Sequence, residues 1–269
     1  IVPYAAYPPH RGGDHRTHGI VKEFPAHGDT VTRYCQGGAP ETYCSRDFRR
    51  RVQIDDGYEE RRHFHPLHEL VKAPMLLGYP NIFASNALRL ADDGLPDLLE
   101  TVDVIMVREP WQMPYVLDAA PAEIPIVFSS HNVEVERFGD IDRPAFNDRT
   151  MKRVQELERL AITEADVIVC TSERDASVYR ETYEIKNPII VAPNGTYEQT
   201  IREHRSNSED AIRVRRQYGI SDEATVCLFM GSDYQPNVEA AEKTIDIARD
   251  LKTDPASVQF IIMGSVGNS

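Results

Sequence analysis

Short apolar runs alternate with amphipathic segments along almost the whole chain. The apolar runs predict strands, and segments in which apolar positions recur every three or four residues predict helices. The predicted strands span residues 1–6, 30–34, 103–107, 126–129, 166–170, 189–191, 226–230 and 260–263. The predicted helices span residues 15–26, 80–90, 96–101, 112–119, 150–164, 172–183, 211–218 and 236–251, with Ser172 as an N-cap. Strands alternating with helices are typical of a doubly wound α/β fold with parallel sheets.

A turn signal divides the chain into two predicted domains. The sequence Ala192-Pro193-Asn194-Gly195 ends the preceding strand abruptly, and polar residues follow it. We therefore expect one Rossmann-like domain of residues 1–194 and the start of a second at residues 195–269. Within the first domain, residues 36–74 are rich in Arg, Glu, His and Gly, and we expect irregular structure with a weak strand near residues 51–54.

The second predicted domain contains one βαβ unit. A strand ending at Gly231 is followed by a helix and by a strand ending at Gly264, and ligands bind parallel sheets at these carboxyl ends. One such unit cannot bury both faces of its own sheet, and the sequence starts inside an apolar run at Ile1 without an initiator Met. We therefore expect the chain to be a fragment, with the second domain incomplete.

The composition narrows the function classes. Acidic residues outnumber basic residues by 43 to 30, and the net charge of −13 argues against general nucleic-acid binding. Only six Lys accompany 24 Arg, so a halophilic surface is favoured over an ordinary acidic cytoplasmic one. The four cysteines lack zinc-site spacing and are expected to be free thiols, two of them in buried strands. No run approaches the roughly 18 apolar residues of a membrane span, which favours a cytoplasmic protein.

Two loops of the first domain carry candidate chemistry. Residues 7–14 include Arg11, Gly12, Gly13 and Asp14 before a predicted helix, and a glycine loop at a helix N-terminus suits a phosphate or a sugar. The alternative is a tight βα turn. Residues 129–134 follow a predicted strand and offer a titratable ring, an amide and a carboxylate in His131, Asn132 and Glu134, where the alternative is a loop hydrogen-bond role.

Other candidates lie elsewhere in the chain. In the second domain, Gly231, Ser232 and Asn237 could receive a diphosphate at the start of a helix, although a plain βα turn is the alternative. The spacing of His63, His65 and His68 permits a metal site, but a solvated loop is the favoured interpretation.

Five short segments together resemble the family-4 glycosyltransferases of the GT-B fold. Their order along the chain matches that family: Pro8-Pro9-His10-Arg11-Gly12-Gly13, Ser130-His131-Asn132-Val133-Glu134, Ala165-Asp166-Val167-Ile168-Val169-Cys170-Thr171-Ser172, Val191-Ala192-Pro193-Asn194-Gly195, and Phe229-Met230-Gly231-Ser232 with Pro236-Asn237-Val238-Glu239-Ala240. The resemblance implies an acceptor-side first domain and a second domain for a nucleotide-diphosphate sugar. It implies that His131 reaches toward the transferred sugar and the donor phosphate, and that Gly12 and Gly13 close over the donor.

The resemblance also implies the reaction. A hexose passes from a nucleotide-diphosphate sugar to a carbohydrate or lipid-linked acceptor, with retained configuration and without a metal or cofactor. Gly231, Ser232 and Asn237 would join Gly12 and Gly13 on the donor, while Arg11, Asp14, Asn132 and Glu134 would lie on the acceptor side. The protein would be cytoplasmic, with at most peripheral contact at the inner membrane face, and would not bind nucleic acid.

Two departures from the family pattern leave alternatives open. No Arg or Lys occurs from Ser232 to Glu239, where the family commonly carries both to neutralise the diphosphate. The family's carboxylate motif for the donor would lie beyond Ser269, so we expect these residues alone to be inactive. A non-catalytic nucleotide- or sugar-binding protein and a sugar-nucleotide epimerase of the same fold are the alternatives.

Overall fold

The protein consists of two compact units, Ile1–Gly195 and Thr196–Ser269. The computed structural model describes residues 1–91, 94–139, 148–195, 208–232, 235–251 and 257–268. Asp233 and Tyr234, just before the helix predicted at 236–251, lie outside these residues. Each unit is described by itself below.

Two sheets, one mixed and one parallel, form the centre of the first unit. Strands β1 (Val31–Cys35), β3 (Tyr58–Arg62) and β2 (Arg51–Asp55) lie in that order, with β1 parallel and β2 antiparallel to β3. The other sheet is wholly parallel and has its strands in chain order: β4 (Ile105–Val107), β5 (Ile126–Ser129), β6 (Val167–Cys170) and β7 (Ile189–Val191). The strands predicted at 126–129 and 189–191 are confirmed to the residue.

The N-terminal segment connects the two sheets. Val2 donates a backbone hydrogen bond to Tyr34 O at 2.9 Å, and Ile1 O accepts one from Arg108 N at 3.1 Å. The predicted strand at 1–6 is nevertheless wrong in extent, because only an isolated parallel bridge between Val2 and Cys35 forms. Pro3 has no N–H to donate and interrupts the ladder.

Helices cover the sheets of the first unit. They are α1 (Gly12–Val21), α2 (Pro40–Cys44), α3 (Pro66–Lys72), α4 (Ala84–Leu90), α5 (Leu95–Leu99), α6 (Met113–Ala119), α7 (Glu134–Gly139), α8 (Asp148–Glu164) and α9 (Glu173–Thr182). Short 3₁₀ helices lie at Phe24–His27, Ala73–Leu77 and Pro110–Gln112. The predicted cap is confirmed, since the Ser172 side chain accepts a hydrogen bond from Asp175 N at 3.1 Å.

Residues 36–74 are more regular than the sequence suggested. They contain α2, the β2–β3 hairpin and α3, and Gly57 turns the hairpin with φ +69°. The buried face of β3 is charged: Glu60 is fully buried, forms an ion pair with Arg33, and accepts from Arg62 Nε at 2.6 Å. Because buried ion pairs replace the usual apolar positions, this strand lacks the hydrophobic alternation by which strands are recognised.

The second unit has a two-stranded parallel sheet. Strands β8 (Thr225–Met230) and β9 (Val258–Met263) pair along their full length, preceded by helix α10 (Ser208–Gln217) and connected through helix α11 (Gln235–Asp250). The prediction that β8 is buried is wrong, since Leu228 is 57% and Met230 73% exposed, and Cys227 is exposed as well. Helix α11 and the 3₁₀ helix Ser265–Asn268 pack on β9, and much of β8 stays exposed.

The cysteines are free thiols, as predicted, with Cys35 and Cys170 buried and Cys44 exposed like Cys227. None of the helices that the structure describes combines the length and the apolar character that crossing a bilayer requires.

Candidate active site

His131 lies directly after β5, at the carboxyl edge of the parallel sheet. The turn that carries it is fixed from both sides. Ser130 N donates to Val169 O of the neighbouring strand at 2.8 Å, and Ser130 Oγ donates to Asn132 O at 2.7 Å. Tyr179 OH also donates to Asn132 O, at 2.8 Å. The ring is therefore presented from a rigid turn where ligands of α/β sheets bind.

The glycine loop contacts this ring. Helix α1 begins at Gly12, and a Cβ atom built on Gly13 would lie 3.3 Å from Cε1 of His131. A Cβ built on Gly12 meets nothing within 4 Å, so this residue has open space beside it. The structure thus brings Gly13 and His131 together, with the N-terminus of α1 next to them.

Arg108 is a site residue that the sequence did not indicate. It follows β4, is 2% exposed, and donates from Nη1 to Ser129 Oγ at 2.9 Å. Its Nη2 lies 2.9 Å from His131 Nδ1 and also contacts Nε2 of that ring. Burial lowers the pKa of Arg108 to about 9, which still leaves the guanidinium protonated near neutral pH.

The protonation state of His131 follows from its burial and from this neighbour. Burial, reinforced by the positive charges of Arg108 and then Arg16, holds the pKa of His131 well below its usual range. The ring is therefore neutral near pH 7. A guanidinium only donates, so a ring nitrogen that accepts from Arg108 carries no proton, and the neutral ring has its single N–H on the other nitrogen.

Arg16 adds a second buried cation, also missed by the sequence analysis. From α1 it donates to Ala192 O at 2.6 Å and to Asn194 Oδ1 at 3.1 Å, near the end of β7. Within the part of the chain that the structure describes, neither Arg16 nor Arg108 forms an ion pair with a carboxylate, and the Nε atom of each is buried without a hydrogen-bond partner. Arg16 follows Gly12 by four residues, so both lie on the same face of α1. That spacing could have placed Arg16 beside the glycine loop from the sequence alone.

The remaining first-domain candidates have structural contacts. Asp14 accepts from His10 N at 3.3 Å and from Arg11 N at 3.1 Å, which is the N3 half of a capping box. Asn132 donates to Glu134 at 3.4 Å, and Glu134 is buried beside Arg137 at 3.1 Å. These contacts hold the two loops in place.

A buried carboxylate anchors the second of these loops. Glu158 is fully buried on α8 and accepts from the backbone N–H of Glu134, at 2.5 Å, and of Val135, at 3.4 Å, at the start of α7. Tyr183 OH donates to it at 2.7 Å. Burial raises the pKa of Glu158 to about 7. The carboxylate thus links α7, α8 and α9 below the His131 turn.

A cavity of about 510 Å³ opens beside the cluster. It reaches from Arg11 in the glycine loop to Glu109, the neighbour of Arg108, and to Arg137 on α7. Its volume is within the range of about 300–1,000 Å³ that is typical of small-molecule sites. Its other lining residues are Tyr4, Gly38, Pro40, Tyr43, Glu69, Lys72, Ala73, Met75, Gly78, Tyr79, Pro80, Asn81, Trp111 and Phe138.

The second-unit candidates form a cluster of their own. Asn237 Nδ2, in the first turn of α11, donates to Ser232 O at 3.1 Å and to Ser232 Oγ at 3.2 Å. A Cβ on Gly231 would lie 3.1 Å from Asn237, and one on Gly264 only 2.2 Å from Gly231 O. Gly264 has φ +92°, so both the close approach and the backbone conformation require glycine. The ends of β8 and β9 thus pack tightly at the helix N-terminus.

The three histidines of residues 63–68 lie together, but they are neither a solvated loop nor arranged around a metal. His63 Nε2 lies 2.8 Å and His68 Nε2 3.2 Å from Ala91 O, while His68 Nδ1 lies 2.8 Å from Gln36 Nε2. His68 is fully buried, and burial lowers its pKa to about 4. Among the described residues, no group of three or more His, Cys, Asp or Glu side chains is placed to hold a metal ion.

Comparison with known proteins relates this chain to a protein family. The family model described as Glycosyltransferase Family 4 matches residues 11–199. The sucrose-phosphate synthase structure from Thermosynechococcus elongatus has a TM-score of 0.52 at 14% identity and covers 94% of this chain, which spans 65% of the length of that one. A second structure of that synthase gives a TM-score of 0.43 at 12% identity, covering 75% of this chain and 93% of that one. The comparison with curated proteins found no match. The predicted GT-B-like fold class, with Rossmann-like parallel sheets, is confirmed.

Proposed function

Since the chain belongs to glycosyltransferase family 4, we propose that its protein moves a hexose from a nucleotide-diphosphate sugar to a carbohydrate or lipid-linked acceptor. The single observation that carries the proposal is the pair of buried cations, Arg16 and Arg108, beside His131. Both donate to neutral groups, but neither is paired with a carboxylate among the described residues, and a buried positive charge that is not neutralised favours an anionic ligand. The diphosphate of a nucleotide sugar supplies that anion.

The proposed chemistry places growing negative charge against these groups. When the bond between the sugar and the phosphate breaks, charge develops on the departing diphosphate. The N–H of neutral His131 then donates a hydrogen bond that strengthens as the bond lengthens, while Arg16 and Arg108 raise the local positive potential. The backbone N–H groups at the N-terminus of α1 also stabilise negative charge on the diphosphate.

Arg16 and Arg108 also bear on a departure of this sequence from the family pattern. No Arg or Lys occurs between Ser232 and Glu239, where the family commonly neutralises the diphosphate. In this proposal, Arg16 and Arg108 supply positive charge to the departing diphosphate. In the second unit, Gly231 and Ser232 with the N-terminus of α11 would bind the nucleotide diphosphate.

The proposed route uses no protein base. No step requires a metal or cofactor, and the leaving phosphate takes the proton of the acceptor hydroxyl on the same face of the sugar, so that the configuration is retained. The protein acts in the cytoplasm, with at most peripheral contact at the inner membrane face.

A non-catalytic sugar- or nucleotide-binding protein is the second candidate, favoured by the missing Arg and Lys; a sugar-nucleotide epimerase is a third. One experiment separates all three. The natural protein that contains these 269 residues is incubated with nucleotide-diphosphate sugars, a saccharide acceptor and EDTA, and the products are followed by NMR. Release of nucleotide diphosphate with an acceptor glycosylated in the donor's anomeric configuration supports the proposal. Binding without turnover supports the second candidate, and an inverted ring carbon on the intact nucleotide sugar supports the third.

A further inference from the structure

A buried hydroxyl group on α9 reaches the turn that carries His131. Tyr179 is fully buried, and its OH donates to Asn132 O at 2.8 Å and lies 2.5 Å from Ser130 Oγ. Ser130 Oγ lies 2.7 Å from the same carbonyl oxygen. The hydroxyl group of Tyr179 therefore contacts the residues on both sides of His131.

Packing accounts for the ring of Tyr179 but not for its hydroxyl group. The ring belongs to the apolar core that also contains Phe128, Ile168 and Ala176. An apolar side chain of similar size would fill the same place. Burying a hydroxyl group is unfavourable unless it is hydrogen-bonded, and the partners of this one belong to the His131 turn. The hydroxyl group thus serves the turn, whereas the ring serves the core.

The hydroxyl group of Tyr179 keeps its proton. Burial, followed by the negative charge of Glu158, holds the pKa of Tyr179 well above its usual range. A phenol in this state still has an O–H to donate at every pH at which the protein would be assayed. Its contact with Asn132 O is therefore a fixed geometric restraint and does not vary with pH.

Tyr183 supports the other end of the same segment. Its OH donates to Glu158 at 2.7 Å, and Glu158 in turn accepts from the backbone N–H of Glu134 at 2.5 Å. Residues four apart lie on one face of a helix, so Tyr179 and Tyr183 approach the segment from the same side of α9. Helix α9 thus restrains the backbone on either side of the His131 ring.

We propose that Tyr179 is a positioning residue whose hydroxyl group, through Ser130 and Asn132, holds the His131 ring in place against Arg108. The assignment rests on the glycosyl transfer proposed above, in which the N–H of His131 meets charge on the departing diphosphate. Tyr179 acts through the turn and not on the reacting atoms. Because a donor to developing charge must be placed precisely, loss of the hydroxyl group lowers kcat more than it weakens donor binding.

The test is Tyr179→Phe in the natural protein, since this change keeps the ring and removes the hydroxyl group. We expect kcat to fall about tenfold, because misplacement by 1 Å can cost about 100-fold, while the donor dissociation constant stays within about twofold of the wild-type value. The pKa of His131, measured by NMR, should rise, because a ring that is held less firmly is less buried and less close to Arg108, and both burial and that charge lower this pKa.

Tyr58→Phe is the matched control. Tyr58 is 1% exposed at the start of β3, and its OH accepts from Arg33 Nη1 at 2.9 Å. The variant loses a buried tyrosine hydrogen bond without touching the His131 turn, so it should lower the melting temperature and leave kcat and the pKa of His131 unchanged. The proposal is overturned if Tyr179→Phe keeps the wild-type kcat and the wild-type pKa of His131, or if both variants lose kcat equally.

The NMR measurement separates this proposal from the proposed function, because it requires no turnover. If the wild-type protein transfers no hexose, glycosyl transfer is refuted, whereas a His131 pKa that changes in Tyr179→Phe and not in Tyr58→Phe keeps the positioning role. If the wild-type protein is active and Tyr179→Phe matches it in kcat and in the pKa of His131, the positioning role is refuted and transfer is kept.

Discussion

Gly13 packs against the ring of His131 so closely that a methyl group at this position would lie 3.3 Å from Cε1. The ring has little room to retreat, because Arg108 contacts it and is itself bonded to Ser129. The glycine is therefore required by the neighbouring ring, not by its backbone conformation. The contact fixes where the ring stands relative to the N-terminus of α1.

Gly13→Ala should displace His131 by a few tenths of an ångström and lower kcat about tenfold, since misplacement by 1 Å can cost about 100-fold. Gly19→Ala is the control in the same helix, because a Cβ there meets nothing within 4 Å. It should add about 0.5–1 kcal/mol of stability and leave kcat unchanged. Equal kcat values for both variants would show that the contact does not position the ring.

Arg108→Met should raise the pKa of His131, since the guanidinium is the largest charge that lowers it after burial. The account requires neutral His131, so activity falls when the pH drops below the pKa of this ring. Removing Arg108 should therefore move the acidic limb of the kcat profile to higher pH. The ¹³Cε1 shift of His131, titrated by NMR, measures the pKa directly. An unmoved pKa and an unmoved limb would contradict the assigned role of Arg108.

The sequence predicted those features of the fold and of the candidate site that neighbouring residues determine. The strand Ile126–Ser129 and the Ser172 cap are encoded by neighbouring residues, and both are confirmed. The roles of Arg16 and Arg108 depend on partners far along the chain: Arg16 donates to Ala192, 176 positions away. A single Arg in a sequence does not reveal such a contact. The end of a predicted strand, in contrast, indicates where ligand-binding loops lie.

The β2–β3 hairpin shows the same limit within the fold. Glu60 and Arg62 occupy buried positions that pattern analysis reserves for apolar residues. The buried carboxylate of Glu60 is compensated by Arg62 of the same strand and by Arg33 of β1, and the second pairing is visible only in three dimensions. The histidine cluster was misjudged for the same reason, since the carbonyl of Ala91 that joins His63 and His68 is distant in sequence.

His68 should make stability depend on pH. Its pKa in the folded protein is about 4, below the ordinary value of 6.5, so between these values the unfolded chain binds a proton that the folded chain does not. The stability contribution is complete above pH 6.5 and is lost as the pH falls toward 4. The loss should be about 2 kcal/mol at pH 5 and about 3 kcal/mol in all.

Urea unfolding at pH 7 and pH 5 measures this loss. His68→Gln should reduce the difference between the two pH values, whereas His27→Gln, at an exposed position, should preserve it. A wild-type difference that persists unchanged in His68→Gln would assign the pH dependence to other groups.

The halophilic surface predicted from the composition should respond to salt. Many of the 43 carboxylates repel one another in dilute buffer, and molar salt shortens the screening length to about 3 Å. The melting temperature should therefore rise between low and molar KCl. A constant melting temperature would remove the halophile hypothesis and leave the fold and the site unaffected.

The most direct test of the central claim is turnover by His131→Ala in the natural protein, measured together with the donor dissociation constant and the melting temperature. Because the N–H of His131 meets charge that grows only as the sugar leaves, kcat should fall by roughly 100- to 1,000-fold while donor affinity changes little. A variant that folds, binds the donor and turns over at the wild-type rate would contradict the assignment of His131 to the reaction.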